Sequence, residues 1–482
     1  MTYRIDNSYA DQFATLSQPL LVSAQPTPAS DPSWLAFNHQ LADELAIPSA
    51  WQATEQGLQL FSGNAIPSCL QPMTLGYAGH QFAHFVPRLG DGRAILLSEL
   101  VNPAGERFDV QLKGAGTTAF SRAGDGRAPL GPVLREFIVS EAMHALGIPT
   151  TRALAAVTTG DWVYREQALP GAVLTRVASS HLRIGTAQYV ATFADDALCQ
   201  RFADYVITRH YPHCAQSEQP YQALYTAIID RQAKLIAQWM SVGFIHGVMN
   251  TDNMTLSGET IDYGPCAFME HYDPNAVYSA IDRAGRYAYK NQPGVALWNL
   301  ARLGEAWLPL MAADRTAAIS IATQLVHEFP NYYEHYYNQL MANKIGVVEP
   351  LSADRELIDR LLQLMATERL DYSQTLRWLA QGQAAANKAL YEWQQQWQQR
   401  LAQQGQPLAQ VYARMNLLNP AVIPRNHWVE AAISQALESG ELSIFNDLMT
   451  VLKTPYQEPQ HLQQYTQPAN DAQRVQRTFC GT

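Results

Sequence analysis

Two oxygen-bearing side chains nine positions apart, Asn253 and Asp262, suit the binding of a hard divalent cation. They stand in HGVMNTDNMTLSGETIDYG, at either end of a segment that reads as a short hairpin with an SGE turn. An amide oxygen and a carboxylate brought to one point make a site for Mg²⁺ or Mn²⁺ bridging the phosphates of a nucleotide. Asp252, beside Asn253, is the nearby carboxylate placed to accept a proton from a hydroxyl.

Upstream, RFDVQLKG alternates Phe108, Val110 and Leu112 with Asp109, Gln111 and Lys113, the pattern of a strand with one apolar face. Lys113 ends the polar face. Either it lies at a solvated edge or it projects toward phosphates. Glu136 falls in PVLREFIVSEAMHALG, a predicted helix with Pro132 in its first turn and Gly147 at its stop. A strand lysine followed by a helix glutamate is the ion pair that orients a phosphate-binding lysine in kinases. LGDGRA, with Gly90, Gly92 and Arg93, exposes backbone N–H groups that can meet a phosphate, although a plain hairpin turn has the same composition. The pentapeptide GDGRA recurs at 124–128, where it contributes Asp125 and Gly126.

The order of these elements follows kinases further. His246 and Asn253 keep the seven-residue offset of H-R-D-x-x-x-x-N, and Asp262-Tyr263-Gly264 stands where D-F-G is expected. One position departs. The acid expected two residues after His246 is Val248, which accepts no proton. A kinase scaffold with its phosphotransfer disabled or rerouted is the reading; a phosphotransferase and a non-catalytic nucleotide-binding scaffold remain open beside it.

The elements positioning these groups predict an α+β, protein-kinase-like bilobal fold. Residues 1–75 read as an N-terminal extension, 76–185 as a β-rich lobe with one key helix, and 186–482 as a larger helical lobe with a C-terminal tail. The expectations include helical spacing of Trp34, Leu35, Phe37, Leu41 and Leu45, two strands joined by a GDG turn in AHFVPRLGDGRAILLSEL, and a hairpin in AAVTTGDWVYRE. A long helix spans QPYQALYTAIIDRQAKLIAQWMSVG. The 482 residues carry 33 Lys and Arg against 43 Asp and Glu, a formal charge of −10, so no global nucleic-acid footprint is present. Five Cys without a CxxC pair argue against a disulfide scaffold or zinc site. With no secretory signal and no long apolar run, a cytoplasmic, monomeric protein without membrane or nucleic-acid partners is expected.

The sequence resembles the selenoprotein O, or YdiU-like, family of kinase-fold protein adenylyltransferases. The resemblance is carried by IDNSYA, LGYAGHQFAHFVPRLGDGRA, FDVQLKGAGTTAFSRAGDGRAPLGPVLREFIVSEAMHALGIPTTRALA, HGVMNTDNMTLSGETIDYGPCAFM, YAYKNQPGVALWNLARL and NPAVIPRNHW. Ala83 departs from it, where the HQFG element has Gly. The resemblance implies ATP bound flipped relative to kinases and AMP transferred to Ser, Thr or Tyr hydroxyls of proteins, with UTP conceivable in place of ATP. It implies nucleotide contacts from Gly90, Gly92, Arg93, Lys113, Asp125, Gly126, Arg176, Arg183 and Asp262, and metal held by Asn253 and Asp262. Asp252 is then the proton acceptor, and Glu136 positions Lys113. Cys480, near the C-terminus where some relatives carry selenocysteine, is paired on this reading with Cys266 in a reversible disulfide.

Overall fold

The computed structural model describes residues 4–6, 20–383, 385 and 387–479. Strands dominate the first 180 residues: β1 (Arg4–Asp6), β2 (Leu21–Ser23), β3 (Ser33–Phe37), β4 (Met73–Leu75), β5 (Gly79–Gln81), β6 (His84–Val86), β7 (Ala94–Val101), β8 (Arg107–Lys113), β9 (Ala128–Pro129), β10 (Arg152–Tyr164) and β11 (Ala168–Ala178). Nine of them form one antiparallel sheet ordered β2-β4-β7-β8-β11-β10-β3, with β1 on β7 and β9 on β11. Helices α1 (His39–Glu44), α2 (Glu55–Phe61) and α3 (Leu130–Ala145) accompany the sheet. Beyond it run α4 (Ile184–Phe193), α5 (Asp196–His210), α6 (Pro220–Val242) and α7 (Gln292–Ala306), then further helices as far as Leu452. The short pair β12 (Phe244–Ile245) and β13 (Ala267–Phe268) interrupts them. The protein is thus mixed α and β, and no described helix is long and apolar enough to cross a membrane.

Both sheet faces are covered. Leu112, Val157 and Val173 pack with Leu41, Trp51 and Phe61 from the N-terminal elements on one side. On the other, Leu134, Phe137 and Ile138 of α3 meet Leu174 and a C-terminal helical pair carrying Ile433 and Phe445. That pair grips α3 through an Arg135–Glu430 ion pair and a Phe137–Phe445 ring contact at 5.7 Å. A third cluster fills the helical part, with Ile228, Ile236 and Trp239 of α6 at its centre. Helix α6 ends as expected, at Gly243 in the left-handed region with φ 72°.

Several local expectations are corrected. Trp34, Leu35 and Phe37 lie in strand β3, whose Ala36 opposes Ala156 of β10; the helix begins only after Asn38, whose Oδ1 caps Leu41 N at 3.1 Å. A free edge of β10 outweighs helical spacing there. The stretch around GDG is no hairpin: β6 pairs with β5, while β7 pairs with β8, so Gly90–Gly92 forms a connecting loop. In AAVTTGDWVYRE, Gly160 (φ 73°) lies at an irregularity between Thr158 and Trp162 inside a single strand, and the turn comes later, after Tyr164. Nor does the SGE segment form a ladder; Thr255 bridges to Arg183 and Thr260 to Thr150, drawing both flanks onto neighbouring loops.

Candidate active site

The polar face of β8 is buried, not solvated. Asp109, Gln111 and Lys113 project at alternate positions, and each meets charged or polar partners. Asp109 accepts from Arg209 Nη2 at 2.6 Å and from His181 N at 2.8 Å. These tie the sheet to α5 and to the chain entering α4. Gln111 stands opposite Arg176 in the β8–β11 register and accepts from its Nη2 at 2.7 Å. Lys113 Nζ reaches Glu136 Oε2 at 2.6 Å and Asp262 Oδ1 at 2.8 Å.

Asp262 gathers the cations. Besides Lys113, Arg176 Nη1 lies 2.6 Å from its Oδ1 and Arg183 Nη1 2.6 Å from its Oδ2. Burial works to raise its carboxyl, but Lys113, Arg183 and Arg176 together outweigh that and hold it well below the usual range. Its backbone lies in the left-handed region at φ 63°, a conformation that Asp tolerates better than most side chains and that turns the carboxylate into the cavity. The turn is pinned from behind. His246 Nε2 bonds the Ile261 carbonyl at 2.8 Å and its ring stacks on Trp239 of α6, while the Tyr263 hydroxyl bonds Thr150. His246 is therefore a buried brace for the two loop ends.

The segment Thr251–Asn253 forms a single 3₁₀ turn facing Asp262 across the cavity. Arg183, at the start of α4, donates to the Asp252 carbonyl at 2.7 Å and stacks over the Tyr77 ring at 4.5 Å. Asn253 Nδ2 donates to the Val248 carbonyl at 2.8 Å, so the amide oxygen is the atom of this side chain that could hold a cation. The Asp252 carboxylate is buried, and its Oδ1 has no hydrogen-bond partner among the described residues. Burial pushes this carboxyl up to about 6, against the pull of Arg183.

A hairpin from the sheet side closes over this loop. His80 N donates to Thr251 Oγ1 at 2.7 Å and Phe82 N to Asn250 Oδ1 at 3.0 Å. At its base, a Cβ on Gly79 would fall 2.3 Å from Asp252 Oδ1 and 2.8 Å from Leu89 Cδ1. Only glycine lets the strand lie against the carboxylate. Gly79→Ala is expected to lower turnover by about 100-fold, because a displacement on the order of 1 Å suffices for that, with nucleotide affinity little changed. Single-turnover rates set beside equilibrium binding check it. At the hairpin tip Ala83 adopts φ 69°, a conformation that strains any side chain, at the position where the resemblance leads one to expect Gly.

Together these groups surround a cavity of about 370 Å³ lined by Gly92, Arg93, Lys113, Glu136, Arg176, Arg183, Asp252, Asn253 and Asp262 among others. Gly90 adjoins it at φ 75°, its Cα face flat against Phe120. Asp125 and Gly126 are not among its lining. Asp125 is exposed and held by Arg165 at 2.8 Å; its bond from that guanidinium lowers its carboxyl below the usual value. The Gly126 carbonyl accepts from Gly116 N at 3.0 Å, so this second GDG braces the loop between β8 and β9. Cys266 is buried, and Cys480 lies outside the described residues.

Sequence reasoning passed over Asp91, between the two flagged glycines. It is buried, accepts from Gln111 Nε2 at 2.9 Å and stands 3.5 Å from Arg183 Nη2, so it joins Arg183 directly and Arg176 through Gln111. Burial raises its carboxyl to about 6, opposed by Arg183 and Arg176. Asp91→Asn is expected to raise KM for the nucleotide about tenfold, the equivalent of one charged hydrogen bond, with a smaller change in kcat. Steady-state kinetics over a range of nucleotide concentrations separates the two. The polar alternation of β8 was the legible signal for Gln111; Tyr77 carried none.

The family model for protein adenylyltransferase SelO matches residues 4–453. The chain belongs to this family. It is 50% identical over 481 residues to protein nucleotidyltransferase YdiU of Anoxybacillus flavithermus, covering 100% of this chain and 99% of the relative. It is 49% identical over 492 residues to the protein of that name from Rhizobium etli strain CIAT 652, covering 100% and 97%. The relative from Rhizobium meliloti is 48% identical over 493 residues. The protein is accordingly an enzyme of the protein nucleotidyltransferase class, with a nucleotide as a substrate.

Proposed function

We propose that the cavity binds ATP and transfers its AMP moiety to Ser, Thr or Tyr hydroxyls of protein substrates, releasing pyrophosphate. The observation that carries this is the convergence of Lys113, Arg176 and Arg183 on one carboxylate, opposite a buried carboxylate with an unpartnered oxygen. Three cations supply the charge that a buried triphosphate needs. Glu136 holds Lys113 and also takes Arg176 Nη1 at 3.1 Å, so one helix residue orients two phosphate ligands. Gly92 and Arg93 line the phosphate path, with Gly90 adjoining it. Asp125 and Gly126 join the nucleotide contacts if the loop that they brace folds inward.

The oxygen donors of Asn253 and Asp262 fit a hard cation such as Mg²⁺ or Mn²⁺. Among the described residues no group of three or more His, Cys, Asp or Glu forms a cage, which suits an ion completed by phosphate oxygens and water. When bound, that ion neutralises charge developing on the phosphate. The acceptor hydroxyl loses its proton to Asp252, whose alkoxide-forming partner attacks the α-phosphorus; the bond to the β-phosphate oxygen breaks and pyrophosphate leaves. On this reading the sheet-bearing part (76–185) and the helical part (186–482) act as kinase-like lobes, residues 1–75 extend the first, and ATP lies flipped so that its α-phosphate faces Asp252. UTP is a possible second donor, since phosphate contacts do not read the base.

ATP labelled at the α- or γ-phosphate tests it. Label from the α-position on protein supports the reading, γ-label indicates a phosphotransferase, and absence of both indicates a binding scaffold. The tail extends the proposal. Thr478 Oγ1 donates to the Pro265 carbonyl at 2.6 Å, next to Cys266 in the chain. A reversible Cys266–Cys480 disulfide is expected to alter gel mobility between oxidised and reduced protein, and identical mobility overturns it.

A further inference from the structure

A protein acceptor must reach Asp252 through the cavity mouth, and the surface there differs from the rest of this acidic chain. Ile281 lines the cavity and is 60% exposed; Phe85, in β6 opposite His80, is 44% exposed. Phe479, 68% exposed, directly follows Thr478, which bridges to Ser279 two residues before Ile281. Exposed apolar side chains gathered at one opening mark a binding surface.

Cationic groups interleave with them. Trp298 of α7 carries the guanidinium of Arg286 at 5.0 Å and that of Arg302 at 5.0 Å, with the His80 ring edge-on at 5.2 Å and Phe85 behind His80 at 4.9 Å. Arg283 is exposed on the same turn as Arg286. Among the described residues neither has a carboxylate within ion-pair distance, and the Nε atoms of Arg286 and Arg302 lack acceptors. The acidic groups present are already engaged. Asp282 is buried, accepting from Arg286 N and Tyr287 N at 2.9 and 2.7 Å, and Glu305 takes one Nη of Arg302 at 2.6 Å. The patch is rigid and tied to the catalytic loop, since the Tyr287 hydroxyl donates to Asn250 Oδ1 at 2.6 Å.

We propose that Phe85, Ile281 and Trp298, with Arg283, Arg286 and Arg302, form the docking surface for the acceptor protein, selecting a segment with acidic residues beside an aromatic or aliphatic one near the modified hydroxyl. Arginine on an aromatic face presents a fixed fork to a carboxylate, and rigid aromatic anchors carry interface energy. This rests on the adenylyl-transfer reading and names its partner class.

Two random copolymers, poly(Glu,Tyr) and poly(Lys,Tyr), test the surface because both offer tyrosine hydroxyls. With α-labelled ATP, the acidic copolymer is expected to be labelled at least tenfold faster. Fluorescence anisotropy with each copolymer tagged reads binding without turnover. Arg286→Glu, alone and combined with Arg302→Glu, is expected to remove the preference in both measurements, with ATP binding and Tm unchanged. Equal binding of the two copolymers, or a preference that survives the charge reversals, overturns the docking surface. Charge-selective binding without α-label on either copolymer supports the surface and counts against tyrosine transfer, so the two failures are distinguishable.

Discussion

Replacing Asp252 by Ala is expected to lower turnover by about two orders of magnitude or more while leaving ATP affinity close to wild type. Among the described residues the Asp252 carboxylate makes no ion pair with Lys113, Arg176 or Arg183; Arg183 bonds its backbone carbonyl, which survives the substitution. The pH dependence gives a second readout. With burial raising the Asp252 carboxyl to about 6, the ionised form that can take a proton accumulates as pH rises through that value, and kcat should climb to a plateau above it. Asp91 titrates in the same region with the same sign, since its ionised form holds Arg183, so the Asp252→Ala profile and not the wild-type profile alone isolates the base.

Stability runs the other way. A carboxyl whose folded value lies above its unfolded one binds its proton more tightly when folded, so its contribution is greatest below about 4 and is lost as pH rises to about 6. Asp252→Asn should therefore be inactive yet melt higher than wild type at neutral pH. A general base kept buried at the expense of stability predicts that combination; a residue that merely organises the loop predicts a lower melting temperature.

Asp262→Ala should have the larger overall effect. It removes the carboxylate that Lys113, Arg176 and Arg183 share, leaving Glu136 and Asp91 to balance three cations around one cavity. Breaking a buried pair from one side costs about 3–5 kcal/mol, because the partners keep their desolvation without the attraction. The variant should lose metal-dependent nucleotide binding as well as turnover, and its melting temperature should fall. Its sign with pH is opposite to that of Asp252: the Asp262 contribution is present above the unfolded value near 3.8 and disappears on acidification through its depressed folded value. Calorimetric titration with ATP, with and without Mn²⁺, together with melting curves at neutral pH and below about pH 4, checks both. Unchanged binding would remove Asp262 from the site.

What could be read before any coordinates were the residue types that phosphate chemistry demands, and their order. Lys113, Glu136, Asn253 and Asp262 are legible because a strand's period of two, a helix's apolar stripe and short motif offsets are local properties of a chain. The long helix α6 and helix α3, with their glycine stops, were legible for the same reason. The misses were all cases in which a distant partner decided. Trp34 to Phe37 took a strand conformation because β10 offered an edge, Gly160 became an irregularity within a strand because β11 continued past it, and the second GDG was captured by Arg165 and Gly116.

Composition and spacing thus determined which chemistry this chain is equipped for and the elements that carry its side chains. Only the tertiary structure decided that three cations share Asp262, that Asp91 pairs with Arg183 and bonds Gln111, and that Gly79 presses on Asp252. Those facts depend on burial and on contacts between residues far apart in the chain, as between Gly79 and Asp252. The free energy of a charge is set by its surroundings in space, and no local pattern encodes them.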